Sequence, residues 1–313
     1  MNQPVEPSCE CLVCKHSDSR VVEQLSGWQL RHLWKDMGHE FTPDAWGPIH
    51  DDYVVAMRCC ERCAFVYFDP ALAGNEAFYR QLEGEGYFSG GRAEFGRSLK
   101  FACKHRLKRV LDVGCGSGEF LNFARAAGCE TYGLDLNAAA AEKARAKGHV
   151  VFEQLLHKLD ENSTGGRFDL ITLFQVLEHV PDPVGVLKEA RRLLNTGGYI
   201  SIAVPSEEGE CRLAPWDPFQ WPPHHVSRWR LRDFPRLAQV TGLRLVESGG
   251  DMLFGTGIKG RWELHNRLCK VLGRSPRFGG DHLPGLLSLV YRKTGMRFVF
   301  PRRGSSIYAH FEG

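Results

Sequence analysis

The chain lacks any apolar run long enough to cross a bilayer as a helix, which excludes a helical membrane span. No charged-then-apolar signal segment opens it, so a soluble, cytoplasmic protein is expected. It has no internal repeat and no low-complexity tract, which excludes a solenoid or a linker-dominated chain. A formal net charge of only +3 over 313 residues supplies little overall field for attracting polyanions. What is present is an ordinary 43% of hydrophobic residues, enough for a substantial core in one large or two smaller domains. Eleven cysteines are also present, grouped as ligands would be rather than as a disulfide framework.

The most informative stretch is Leu111–Phe120, Leu-Asp-Val-Gly-Cys-Gly-Ser-Gly-Glu-Phe. A strand-like run, Val110–Val113, breaks into Gly114, Gly116 and Gly118 and then into a helical stretch. Glycines at such a turn let the backbone approach a ligand closely. The helix that follows aims its unsatisfied N–H groups into the turn. Together they point to a nucleotide-type ligand rather than a plain structural turn. A second strand-like run ends at Asp135, where an acid accepts from ribose hydroxyls in nucleotide-binding α/β folds. Dinucleotide-binding proteins share that feature. Asp112, just before the glycines, favours an amine-bearing ligand, because a carboxylate repels a pyrophosphate.

At these residues the chain resembles the class I S-adenosylmethionine-dependent methyltransferases. The matching stretches are Leu111–Phe120, Gly133–Asp135, Phe168–Val180 and Leu193–Val204, in that order. Leu-Glu-His-Val-x-Asp-Pro within them marks the branch that includes ubiquinone O-methyltransferases and sugar methyltransferases. The resemblance covers about two-thirds of the chain and implies S-adenosylmethionine as cofactor. The site it implies comprises Asp112, Gly114, Cys115, Gly116, Asp135 and Leu136, with Phe174 and Gln175 on the far wall. Tyr87, in the glycine-rich loop 84–91, is placed to close over it.

Cys11-Leu-Val-Cys14 and Cys60-Glu-Arg-Cys63 form two Cys-x-x-Cys pairs. Two such knuckles complete a tetrahedral four-sulfur site, so a structural Zn2+ is expected at Cys11, Cys14, Cys60 and Cys63. Redox chemistry is the rival reading, but it needs only one pair. Cys9 and Cys59 flank the pairs as spare or alternative ligands. Trp28, Trp34, Phe41, Trp46 and Tyr53 between the knuckles are expected to form a small core around the ion, with a substrate-facing aromatic surface as the alternative. Some sugar C-methyltransferases carry such a module ahead of the catalytic domain, and the chain looks like that arrangement.

The pattern predicts a zinc-binding module over 1–70, a helical linker or lid over 71–108 and a methyltransferase domain over 109–313. Strands near 109–113, 130–135, 149–152, 168–174 and 199–204 alternate with helices over 118–127, 137–147 and 184–194. That alternation predicts an α/β, Rossmann-like parallel sheet, seven-stranded in the family. Asn195–Gly198 reads as a helix stop and turn, and Asp233 as an N-cap for a helix reaching Thr241. Leu243–Ser248 and Ile307–Phe311 are the closing strands, separated by a helical insertion over about 255–304. From Lys259 to Arg303 that insertion holds eleven Lys or Arg against Glu263 and Asp281, a local +9 against −6 for the rest. It is either a solvated face or a docking surface for an anionic partner.

Methyl transfer to a hydroxyl or carbon acid needs alignment and a base titrating near neutrality, usually histidine. His224 and His225 lie in the loop 221–229, which in this family faces the acceptor; His225 is the expected base and His224 a substrate contact. Glu178-His179 is the other candidate, with His179 expected as a structural partner at a helix start. Gln175 stands where ubiquinone O-methyltransferases place a cation-binding glutamate, so no active-site metal is carried over. Of the Tyr-x-Glu-His set of sugar C-methyltransferases only His225 survives, beside Pro222 and His224, so a hydroxyl or amine acceptor fits at least as well. The expected acceptor is a small molecule, a sugar, nucleotide-linked sugar or other natural-product intermediate. An RNA or protein methyltransferase and a non-catalytic cofactor-binding partner are the other readings.

Overall fold

The computed structural model describes residues 10–82, 93–209, 217–254 and 301–313. Cys9, the loop with Tyr87, and the insertion from 255 to 300 lie outside these residues.

The N-terminal part builds an antiparallel sheet from β1 (Ser19–Ser26), β2 (Val54–Cys60) and β3 (Val66–Asp69). Helix α1 (Gly27–Asp36) starts on a capping box: Ser26 Oγ accepts from Gln29 N at 3.2 Å, and Gln29 Oε1 accepts from Ser26 N at 2.8 Å. Helices α2 (Glu76–Leu82) and α3 (Ala93–His105) follow, where the linker was expected.

The second sheet contains β4 (Arg109–Val113), β5 (Glu130–Leu134), β6 (Val150–Phe152), β7 (Phe168–Phe174) and β8 (Leu194–Pro205), all parallel. Between them run α4 (Glu119–Ala126), α5 (Ala138–Ala146), the short α6 (Glu161–Thr164) and α7 (Pro183–Arg192). A two-residue strand β9 (Ser227–Arg228) and helix α8 (Phe234–Thr241) precede β10 (Arg244–Phe254) and β11 (Pro301–Glu312). The last two strands pair antiparallel, and the order across the seven strands is β10-β11-β8-β7-β4-β5-β6. Central β7 reads as a nearly continuous apolar run, and Phe168, Leu170, Ile171 and Leu173 are fully buried, as helix-covered parallel strands require.

Three local readings need correction. Asn195–Gly198 does not end a helix ahead of the strand; β8 has already begun, since Leu194 pairs with Phe168, and pairing resumes at Tyr199 opposite Leu170. Gly197, at φ +75°, lets this bulge turn back. Asp233 does not cap α8 through its side chain, because its carboxylate accepts from Arg230 N at 2.8 Å and faces the Arg230 guanidinium. The aromatics between the knuckles do not surround the cysteines. Trp34, Trp46 and Val55 pack with Phe68, Phe78 and Trp221 in a core of their own, while Trp28 is half exposed. Cys11 and Cys60 instead belong to the main core with Leu111, Trp229 and Phe234. Strand β9 adds to β3 as the fourth strand of the N-terminal sheet, so the two halves of the chain share a sheet and a core.

Candidate functional site

The glycine turn leaves β4 with Gly114 at φ +74°, a conformation that side chains rarely adopt. A β-carbon there would meet Val176 Cγ2 at 2.8 Å, so glycine is required on two counts. The N–H groups of Gly114 and Cys115 both donate to Leu134 O, at 2.7 and 3.2 Å, and pin the turn to the end of β5. Beside it opens a cleft. It is lined by Asp112, Gly114, Cys115, Gly116, Ser117 and Glu119 together with Phe95, Phe120 and Phe174. The three rings stand 4.9 to 5.4 Å apart, centroid to centroid. Asp112 is buried and accepts from Thr172 Oγ1 at 2.6 Å. Two carboxylates and three ring faces in a half-enclosed cleft suit a cationic ligand and disfavour a pyrophosphate.

Of the residues expected here, Asp112, Gly114, Cys115, Gly116 and Phe174 line the cleft. Asp135 does not: its oxygens accept from Gly116 N at 2.7 Å and Asn137 N at 2.9 Å, tying the glycine turn to β5. Burial pushes its pKa up, while those backbone N–H groups pull it down. Leu136 is 64% exposed and is not among the residues that line the cleft. Gln175, at φ +57°, crosses to β11, where its Nε2 donates to Ser306 Oγ at 3.4 Å. Tyr87 lies outside the described residues. Cys115 is a packed thiol whose pKa is raised by burial and by Asp112 and Asp135. The sequence reading missed Ser117, Glu119 and Phe120, which stood within its own decapeptide, and Phe95, which nothing local marked.

The four knuckle cysteines converge with Cys11 Sγ 3.6 Å from Cys63 Sγ and Cys14 Sγ 3.5 Å from Cys60 Sγ. The two knuckles are built alike. Lys15 N donates to Cys11 O and Ala64 N to Cys60 O, both at 2.9 Å; Cys11 N donates to His16 O and Cys60 N to Phe65 O. Lys15 and Ala64 hold φ of +57° and +59°, a conformation costing a non-glycine residue about 1–2 kcal/mol. Thiolates about 2.3 Å from one tetrahedral ion stand about 3.8 Å apart, close to what is seen, whereas a disulfide needs about 2.05 Å. Cys59 is no spare ligand, because its Sγ turns to Ala64 O at 3.6 Å and packs in the aromatic core.

A histidine cluster forms where the turn after β7 meets the loop before β9. Val226 N donates to Glu178 O at 2.7 Å, zipping the two segments together. His179, His224 and His225 lie with ring centroids 4.4 to 4.7 Å apart. His179 Nδ1 lies 2.7 Å from His224 O and 3.0 Å from Tyr79 Oη; His224 Nδ1 lies 2.8 Å from Phe219 O, and His225 Nδ1 3.2 Å from Gln220 Oε1. Burial, reinforced by neighbouring imidazoles, holds the pKa of His224 and His225 well below the usual imidazole value; Arg228 adds to this at His225.

These features match a known family. Its model, described as a methyltransferase domain, matches residues 87–248, half of the chain, and the chain belongs to that family. It is 35% identical over 157 residues to the ubiquinone biosynthesis O-methyltransferase of Alkalilimnicola ehrlichii, covering 44% of this chain and 64% of that protein. With the enzyme of the same name from Thiobacillus denitrificans it is 37% identical over 111 residues, covering 34% of this chain and 48% of that one. With that of Methylococcus capsulatus it shares 35% over 157 residues, covering 44% and 66%. The chain thus spans between about half and two-thirds of the length of these curated relatives. Among the described residues, no helix is long and apolar enough to cross a membrane.

Proposed function

We propose that this protein transfers a methyl group from S-adenosylmethionine to a hydroxyl of a small-molecule acceptor, a sugar, nucleotide-linked sugar or related natural-product intermediate. The observation that carries the reading is the cleft at the glycine turn, with Asp112 and Glu119 set among Phe95, Phe120 and Phe174. An ammonium and a sulfonium on one ligand meet carboxylates and ring faces there, and the glycine backbone admits its close approach. When bound, S-adenosylmethionine supplies a methyl on a positively charged sulfur, which a nucleophile displaces in line to leave a neutral thioether. The names of the relatives support oxygen as the acceptor atom. The acceptor class rests on the resemblance to two-part sugar methyltransferases.

The remaining residues have supporting roles in this reading. Cys11, Cys14, Cys60 and Cys63 hold a structural zinc; with every position filled by protein, that ion staples the fold and takes no part in the reaction. In this reading the acceptor hydroxyl is activated at the histidine cluster, with turnover depending on His225 and His224 beside it. The basic segment 259–303 lies outside the described residues, apart from the backbone of its last few, and is the docking surface of the RNA or protein alternative.

Incubation with methyl-labelled S-adenosylmethionine, fractionated small metabolites, total RNA and total protein tests the reading. Label is expected in the small-molecule fraction; label confined to macromolecules defeats it. His225→Ala is expected to keep cofactor affinity and lose about 10²–10⁴-fold in turnover. Retained turnover removes the cluster from the reaction.

A further inference from the structure

We propose that His179, His224 and His225 bind a divalent transition metal of the zinc class, leaving a coordination position open for the acceptor's oxygen. Only that last clause rests on the methyl-transfer reading.

One ring nitrogen from each of the three lies within 4.8 Å of those of the other two. Ligands about 2.1 Å from one ion stand about 3.4 Å apart, so small ring rotations close the set. The outer contacts fix which nitrogen serves. A carbonyl oxygen only accepts, so His224 Nδ1 carries the proton it gives to Phe219 O, and His179 Nδ1 the proton it gives to His224 O. Gln220 Oε1 sets His225 in the same way. Each ring is thereby locked with the lone pair on Nε2, the arrangement in which metal-bound histidines donate their other nitrogen to an outer acceptor. Three imidazole nitrogens favour zinc, cobalt, nickel or iron over magnesium or calcium.

Charge and rigidity agree. Glu178 is buried with its Oε1 3.9 Å from His179 Nε2, placing a carboxylate beside the site. Arg228 opposes a cation from the other side, but its guanidinium lies over Phe68 and Trp221 and pairs with Glu207 at 3.4 Å. Ser227 Oγ, 3.5 Å from Leu177 O, adds to the Val226–Glu178 link, so the loop histidines are held against His179 before any ion arrives. His179 is the most exposed of the three, whereas His224 and His225 are buried.

The test uses the full chain loaded with a single equivalent of zinc, which the four thiolates take first, and then titrated with Co2+. A further equivalent of cobalt is expected, with visible ligand-field bands and no thiolate charge-transfer absorption. Wild-type protein should also show hyperfine-shifted imidazole N–H resonances, which report ligation without any variant. His179→Gln and the double variant His224→Gln/His225→Gln should lose this equivalent and keep the zinc at the four cysteines, which shows that they fold. Cobalt found only with thiolate absorption, absence of the shifted resonances, or a further equivalent that survives in both variants overturns the site. S-adenosylmethionine affinity and label transfer are read on the same preparation. Lost metal with intact transfer defeats the metal site alone, and retained metal without cofactor binding defeats only the methyl-transfer reading.

Discussion

The cysteine cage and the histidine cluster both gather metal-type ligands from distant parts of the chain, but they are assembled in opposite ways. Each half of the cage folds itself: a Cys-x-x-Cys turn with two internal backbone bonds and a left-handed residue just after its second cysteine. The cluster has no such local unit. His179 sits on the turn leaving β7, its two partners on the loop before β9, and Tyr79 arrives from α2. A site whose geometry is local depends on its ligand for stability. One that the surrounding fold assembles depends on the packing around it.

The largest effect that can break this contrast is removal of the zinc proposed for the cage. Structural zinc is worth on the order of 10 kcal/mol of apparent folding free energy, comparable to the whole net stability of a domain. Cys11 and Cys60 are buried in the main core, so the loss should not stay within the N-terminal sheet. A strong chelator, or Cys60→Ser, is expected to abolish or greatly lower the cooperative melting transition followed by circular dichroism. An unchanged transition in protein shown to be free of zinc removes the ion as a staple.

The same contrast explains what was legible in the sequence. Each knuckle of the cage and the glycine turn of the cleft are written in short contiguous stretches, and Asp112, Gly114, Cys115 and Gly116 could be read from one decapeptide. The parallel sheet could be read because buried strands and amphipathic helices differ in period. Asp135 could be placed at the end of β5, but nothing in its spacing tells that its oxygens would also accept from Gly116 N and Asn137 N. Phe95 and Tyr79 were invisible, because helices carry such rings routinely and only tertiary packing aims them. His179 was read as a structural partner; its Nδ1 does hold a backbone carbonyl, yet it also completes a cluster that spacing alone does not reveal.

A middle-sized effect probes the joint between the two regions. Gly114 lines the cleft, and a β-carbon there would stand 2.8 Å from Val176 Cγ2, on the turn leading to His179. Gly114→Ala adds that clash, about 1–3 kcal/mol, to the cost of a left-handed alanine, about 1–2 kcal/mol. The expected result is a fall in melting temperature and at least about tenfold weaker S-adenosylmethionine binding by calorimetry. Adding Val176→Ala should recover the clash share and leave the backbone share. If the double variant recovers nothing, the glycine turn and the turn after β7 are not mechanically joined.

The smallest effect falls on the cluster. Tyr79 Oη lies 3.0 Å from His179 Nδ1, and that nitrogen already has a nearer acceptor in His224 O at 2.7 Å. Tyr79→Phe keeps the ring that packs against Phe78 and removes one secondary polar contact, worth about 0.5–1.5 kcal/mol. Melting should therefore shift only slightly. If the cluster handles the acceptor, the lost contact loosens His179 and should lower kcat by roughly three- to tenfold while leaving S-adenosylmethionine affinity unchanged. An equal loss of stability and cofactor affinity, with kcat intact, would make Tyr79 a packing residue and the cluster a plain part of the core.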